Sequence, residues 1–180
     1  MKEFWDFYET KNYGIVNIQG NNYKVIKNFP DYYTAGYILN EIHMIIIKIC
    51  NYLSLNYYRY TKNDQKIIDC FLQIHPNNYL LSEMQLNTQF YGLNKPRDLY
   101  YSNLPGIGSD GKLRSNFRHV FITLRDSNGN FNQFDKIMDL VLHEISHTMC
   151  NHVTWKNDNH NKDFKHAEKL LTKVYKRIQN

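Results

Sequence analysis

Apolar residues recur along this chain with two periods. Between Tyr33 and Leu55, residues Ile38, Leu39, Ile42, Ile45, Ile46, Ile49 and Leu53 return every three or four positions. That is the repeat of one helix face, and it predicts a long amphipathic helix entered after Pro30-Asp31. A second helix is expected over Asp64 to Ile74, stopping ahead of Pro76, since the residue before a proline is pushed out of the α region. Phe134, Ile137, Met138, Val141, Leu142 and Ile145 predict a helix from about Gln133 to Cys150. A last one is expected from about Lys162 to Ile178. Tyr23-Lys24-Val25-Ile26 reads as a short strand after turn signals at Gly14 and Gly20-Asn21-Asn22. His119 to Leu124, where β-branched and aromatic residues cluster, reads as another, followed by a turn over Asp126 to Asn130. Residues 76–116 hold Pro76, Gly92, Pro96, Pro105, Gly106, Gly108 and Gly111 and read as a loop-rich stretch whose elements the pattern does not place.

No internal repeat and no linker divides the chain, so one α+β domain over residues 1–180 is expected. With 42% hydrophobic residues that length can bury a real core. The 15 tyrosines make any argument from a lone Tyr weak. A net charge of +5 permits contact with acidic surfaces or nucleic acid without requiring it. Cys50, Cys70 and Cys150 are odd in number and far apart, which argues against a disulfide framework and for a reducing compartment. Met1 to Asp6 does not resemble a secretory signal, and the most apolar run, Ile42 to Cys50, is broken by His43 and Lys48 and too short and polar for a bilayer. An intracellular, soluble protein without membrane contact is the resulting expectation, its oligomeric state left open.

The chemistry concentrates in Val141-Leu142-His143-Glu144-Ile145-Ser146-His147. This is HExxH within an apolar helical segment. Residues four apart on a helix lie on one face, so His143 and His147 can present imidazoles to one Zn2+. Glu144 stands about 100° round the axis, where it can act as general base on an activated water without ligating the metal. A third ligand is needed. His160, after an Asn-rich loop at the start of the last helix, is favoured because a loop lets the chain turn back to the metal. His152, His166 and Glu168 stay open as alternatives, and Cys150 is read as a small buried hydrophobe.

From Val120 to Leu171 the chain resembles the WLM and SprT-like zinc metallopeptidases, in particular compact versions from large DNA viruses and eukaryotes. The resemblance rests on a strand ending in Leu124-Arg125-Asp126, a turn with Gly129, Met138-x-x-Val141-Leu142-His143-Glu144-Ile145-Ser146-His147, and His160-Asn161-Lys162-Asp163-Phe164 ahead of a helix through Leu170 and Leu171. The N-terminal half is similar more weakly, through Pro30 and the long helix. The chain departs from the pattern in Asn161 and in a longer loop after His147. The resemblance implies a zincin-like domain: an N-terminal long helix, a small antiparallel or mixed sheet, the HExxH helix and a C-terminal helix. It also implies His160 as third ligand, Phe164 as the residue packing the last helix onto the motif helix, and hydrolysis of a protein or peptide substrate. Relatives act on proteins crosslinked to DNA.

Three further expectations follow. A substrate would pair in extended form with an edge strand beside the metal, for which His119 to Leu124 is the candidate. Oxyanion stabilisation would come from Arg118, Arg125 or a tyrosine. Lys162, Lys165, Lys169, Lys173 and Lys176 share one face of the last helix, a solvated stripe that could also meet DNA phosphates. His43 and Lys48 are expected at the edge of the long helix's apolar face, and His75, before Pro76, is read as structural. The alternative to a peptidase is a non-catalytic zinc-stabilised domain that binds protein or DNA. A DNA-binding module with an incidental HExxH is the third reading.

Overall fold

The computed structural model describes residues 12–74, 76, 79–85, 91–96, 118–149 and 162–179. In chain order the elements are β1 (Tyr13–Ile18), β2 (Asn21–Ile26), α1 (Tyr32–Leu55), a 3-10 turn (Tyr57–Arg59), α2 (Lys62–Leu72), β3 (Tyr79–Glu83), β4 (Gly92–Pro96), β5 (Arg118–Ile122), α3 (Phe134–Met149) and α4 (Lys162–Gln179). The class is α+β, as expected, and the sheet is mixed. Its order is β1-β2-β3-β5-β4. β2, β3 and β5 run parallel, while β1 and β4 are antiparallel to their neighbours.

The first hairpin turns on Gln19 and Gly20, whose φ values of 52° and 85° match the twist that a two-residue connection requires. The Asn17 side chain accepts from Gly20 N and donates to Asn22, closing the turn. α1 packs so closely on β1 that a Cβ on Gly36 would stand 2.3 Å from a Val16 methyl carbon. α2 starts at a capping box: Thr61 Oγ1 accepts from Asp64 N, and Asp64 returns a bond to Thr61 N.

One face of the sheet carries the main core. Val16, Ile18, Tyr23, Val25, Leu81, Val120 and Ile122 meet Leu39, Ile42, Ile46 and Ile49 of α1, Ile68 and Phe71 of α2, Val141 and Ile145 of α3, and Leu171 of α4. Met84, Leu93 and Phe121 form a small cluster apart from it. Among the described residues α1 is the one helix long and apolar enough to cross a membrane, and half of its most apolar window is buried against the rest of the protein.

Two expectations are revised. The loop-rich residues 76–116 include β3 and β4. Leu81, Ser82 and Glu83 are all buried, so β3 lacks the alternation that marks a half-exposed strand. β4 contains Gly92 and Pro96, and its place depends on its pairing with β5. His43 is not at the edge of the α1 core face but buried within it. Its Nε2 donates to the Pro76 carbonyl at 3.1 Å, and its Nδ1 stands 3.0 Å from the Tyr23 hydroxyl. Lys48 is exposed. Cys50 and Cys70 are free thiols, and Cys150 and His75 lie outside the described residues.

A buried ionic knot joins the elements that precede α3. Arg125 donates from Nε to Glu83 at 2.8 Å and from Nη1 to the Gly129 carbonyl at 2.9 Å, and pairs with Asp31 at 2.9 Å. Its guanidinium lies between the Phe29 and Phe131 rings, 4.1 and 3.9 Å from their centroids. The second Glu83 oxygen accepts from Ile26 N. Removing one partner of a buried pair strands the other's charge. Arg125→Ala should therefore cost about 3–5 kcal/mol in denaturant unfolding, and Glu83→Gln added to it should recover part of that loss. A loss below about 1 kcal/mol, the range of an exposed pair, would show that the knot does not matter.

Burial holds the His43 pKa below the ordinary histidine value, against the raising effect of the Pro76 carbonyl. The folded state thus disfavours the imidazolium, while the unfolded chain takes up a proton near pH 6.5. Stability should be full above that pH and fall as pH drops from it towards the folded pKa. Urea unfolding of wild type and His43→Gln at pH 7.5 and 5.5 checks this. The wild type should lose more stability on acidification than the variant.

Candidate active site

α3 is amphipathic in two senses. Met138, Val141, Leu142, Ile145 and Met149 face the core, while His143 and His147 stand together on a partly exposed stripe with Leu140. The two imidazole centroids are 5.3 Å apart and their planes lie at 83°. A zinc–nitrogen bond of about 2 Å puts a ring centroid about 3 Å from the metal. Two rings held at a tetrahedral angle then have centroids about 5 Å apart, so this pair suits one zinc ion.

α4 packs across the same stripe. The buried Phe164 ring lies 5.0 Å from the His143 ring and 4.5 Å from the His147 ring. Phe164 thus joins α4 to the motif helix. One turn on, Glu168 Oε1 is 2.9 Å from His143 Nδ1. His166 faces elsewhere, its Nε2 on Asp64 of α2. Of the third-ligand candidates, Glu168 is therefore beside the motif and His166 is engaged by α2. His160 and His152 lie outside the described residues. Among the described residues no group of three or more His, Cys, Asp or Glu side chains is arranged to hold a metal.

Glu144 is buried, 6% exposed, on the side of α3 that faces β4. A Cβ built on Gly92 would stand 2.6 Å from Glu144 Oε1, so the first residue of β4 lies directly against this carboxylate. Asn94, two positions on, donates through Nδ2 to the Glu144 carbonyl at 2.6 Å and to Thr148 Oγ1 at 2.8 Å. These bonds clasp β4 along α3. Sequence reasoning missed both residues. The only signal was a glycine and an asparagine in a segment that reads as loop-rich.

The strand expected to pair with substrate needs correction. β5 is interior, hydrogen-bonded to β3 on one side and to β4 on the other, so its backbone groups are already taken. Among the described strands the edge on the motif side is β4.

A cleft of about 700 Å³ opens at His143 and runs towards the first turn of α3. Tyr91, Thr123, Arg125, Lys136, Ile137, Leu140 and Glu168 line it. Of the arginines named as oxyanion donors, Arg125 lines the cleft with its guanidinium held by Glu83 and Asp31. Arg118, at the far end of β5, is not part of the lining. Among the described residues, Tyr91 is the tyrosine on the cleft wall.

Substituting Gly92 by alanine should push the Glu144 carboxylate aside without touching either histidine. If Glu144 serves as a general base in peptide hydrolysis, Gly92→Ala should lose at least about tenfold in kcat, a share of the 10²–10⁴-fold that general acid–base catalysis supplies. The melting temperature should stay near wild type. Full activity in this variant would show that Glu144 has room to spare.

No family model, curated protein or solved structure matches the chain in comparisons with known proteins.

Proposed function

We propose that this chain is a zinc-dependent metallopeptidase of the WLM/SprT-like kind on a zincin-like scaffold. The observation that carries the reading is the joint placement of three motif residues: two imidazoles 5.3 Å apart on one face of α3 and a buried carboxylate between that helix and an antiparallel edge strand. His143 and His147 would hold Zn2+, with His160 as third ligand by resemblance. When bound, zinc supplies Lewis acidity, which makes water a competent nucleophile near neutral pH and polarises a carbonyl.

The chain's own residues supply the rest. Glu144 takes the proton of the attacking water and later delivers it to the leaving amine. Its position against Gly92 limits where the carboxylate can swing. β4 offers the outer edge of the sheet beside α3, and an extended peptide pairing with it would be drawn past Glu144. Asn94 keeps that edge in register with the helix.

A second feature bears on the substrate. Lys165, Lys169, Lys173, Lys176 and Arg177 line a groove of about 710 Å³ that shares Asp139 and Glu168 with the cleft. DNA phosphates held there would bring DNA-associated or DNA-crosslinked proteins to the cleft, with an affinity that falls steeply with salt. Free Cys50 and Cys70 agree with an intracellular place of action. The competing reading, a non-catalytic zinc domain binding protein or DNA, gives Glu144 no task, since a structural site closes its fourth position with a protein ligand.

Elemental analysis of purified wild type, His160→Ala and Glu144→Gln tests the proposal. Wild type should carry about one zinc per chain, as a three-ligand site with one open position requires. His160→Ala should lose it. Glu144→Gln should keep it while cleavage of an unfolded protein falls by about 10²–10⁴-fold. Wild type without zinc after reconstitution would overturn the reading.

A further inference from the structure

The contact between α4 and the first motif histidine extends this reading and rests on it. His143 Nδ1 and Glu168 Oε1 are 2.9 Å apart. A carboxylate only accepts hydrogen bonds, so it selects the imidazole tautomer with the proton on Nδ1. That tautomer puts the lone pair on Nε2, the nitrogen that would meet a metal. The same helix face acts twice. Phe164 and Glu168 lie one turn apart on α4, as do His143 and His147 on α3, and Phe164 lies against both rings. α4 is thereby fixed at the point where its carboxylate reaches the histidine.

We infer that Glu168 is a positioning residue for the metal site: it holds His143 in one tautomer and one ring orientation, and does not itself ligate zinc. The position of the contact separates the two roles. A carboxylate on Nδ1 lies on the far side of the ring from Nε2, where a ligand shared with His143 would have to stand. A partner of this kind raises the basicity of the ligating nitrogen and restricts the ring, and its loss typically weakens metal affinity 10–100-fold. Glu168 is part-exposed, with a side chain 38% accessible, so its substitution leaves the core intact.

Zinc affinity of the full chain, measured by chelator competition for wild type, Glu168→Ala and Glu168→Gln, tests this. Cobalt-substituted absorption spectra of the three are the second readout. Glu168→Ala should bind zinc about 10–100-fold more weakly. Glu168→Gln should recover most of that loss, because its amide oxygen still accepts from Nδ1–H. All three cobalt spectra should keep one band pattern, since the ligand set is the same. Unchanged zinc affinity in Glu168→Ala would overturn the inference. So would a changed cobalt spectrum with no rescue by glutamine, which would make Glu168 a ligand. In either case zinc bound by wild type would leave the metallopeptidase reading standing, whereas a wild type that binds no zinc would overturn both.

Discussion

The arrangement of this protein depends on how one buried guanidinium is neutralised. Arg125 draws together three pieces of chain far apart in sequence: the end of β3 through Glu83, the entry to α1 through Asp31, and the loop ahead of α3 through Gly129. Taking such ions out of water costs several kcal/mol each. The charge is tolerated because carboxylates, a carbonyl and two aromatic faces surround it. Any shift of the loop would take the guanidinium from the buried Glu83 and leave that carboxylate with the Ile26 N–H as its donor among the described residues. The starting point of α3, and so the azimuth at which His143 and His147 emerge, is tied to this knot.

At the other end of the motif the constraint is steric. β4 sits so close to α3 that a Cβ at Gly92 would displace the Glu144 side chain, and Asn94 fastens the two elements through its side-chain amide. Strand and helix thus behave as one unit. The buried Glu144 carboxylate lies inside that unit, whereas the paired imidazoles face α4.

The helices could be read in advance because each presents a broad apolar stripe, and burial of that stripe determines the element. Ile42, Ile46 and Ile49 in α1 and Val141 and Ile145 in α3 all enter the core at the positions their spacing implies. The HExxH pair was legible for the same reason. β3 and β4 were not. β3 is buried through its last three residues, and β4 carries a glycine and a proline that individually argue against a strand. Its partner β5 and the helix beside it outweigh those preferences. His43 was misplaced because its partners, the Tyr23 hydroxyl and the Pro76 carbonyl, come from segments whose approach no local pattern reveals. β5 was taken for an edge because strand order is a property of the whole sheet. Glu168 was legible only as one of several candidates, since what distinguishes it is where α4 crosses α3.

The seat of Phe164 on the two imidazoles changes what a substitution at those histidines means. The rings are a floor for α4 as well as the pair of donors proposed for the metal. Truncating either to alanine would open a void under a buried aromatic ring, and voids of that kind carry their own free-energy cost. Loss of function in such variants would thus mix two causes, missing nitrogen and missing volume. A planar, amide-bearing residue of similar size at the same position would keep more of the floor while altering the donor, and so separate chemistry from packing.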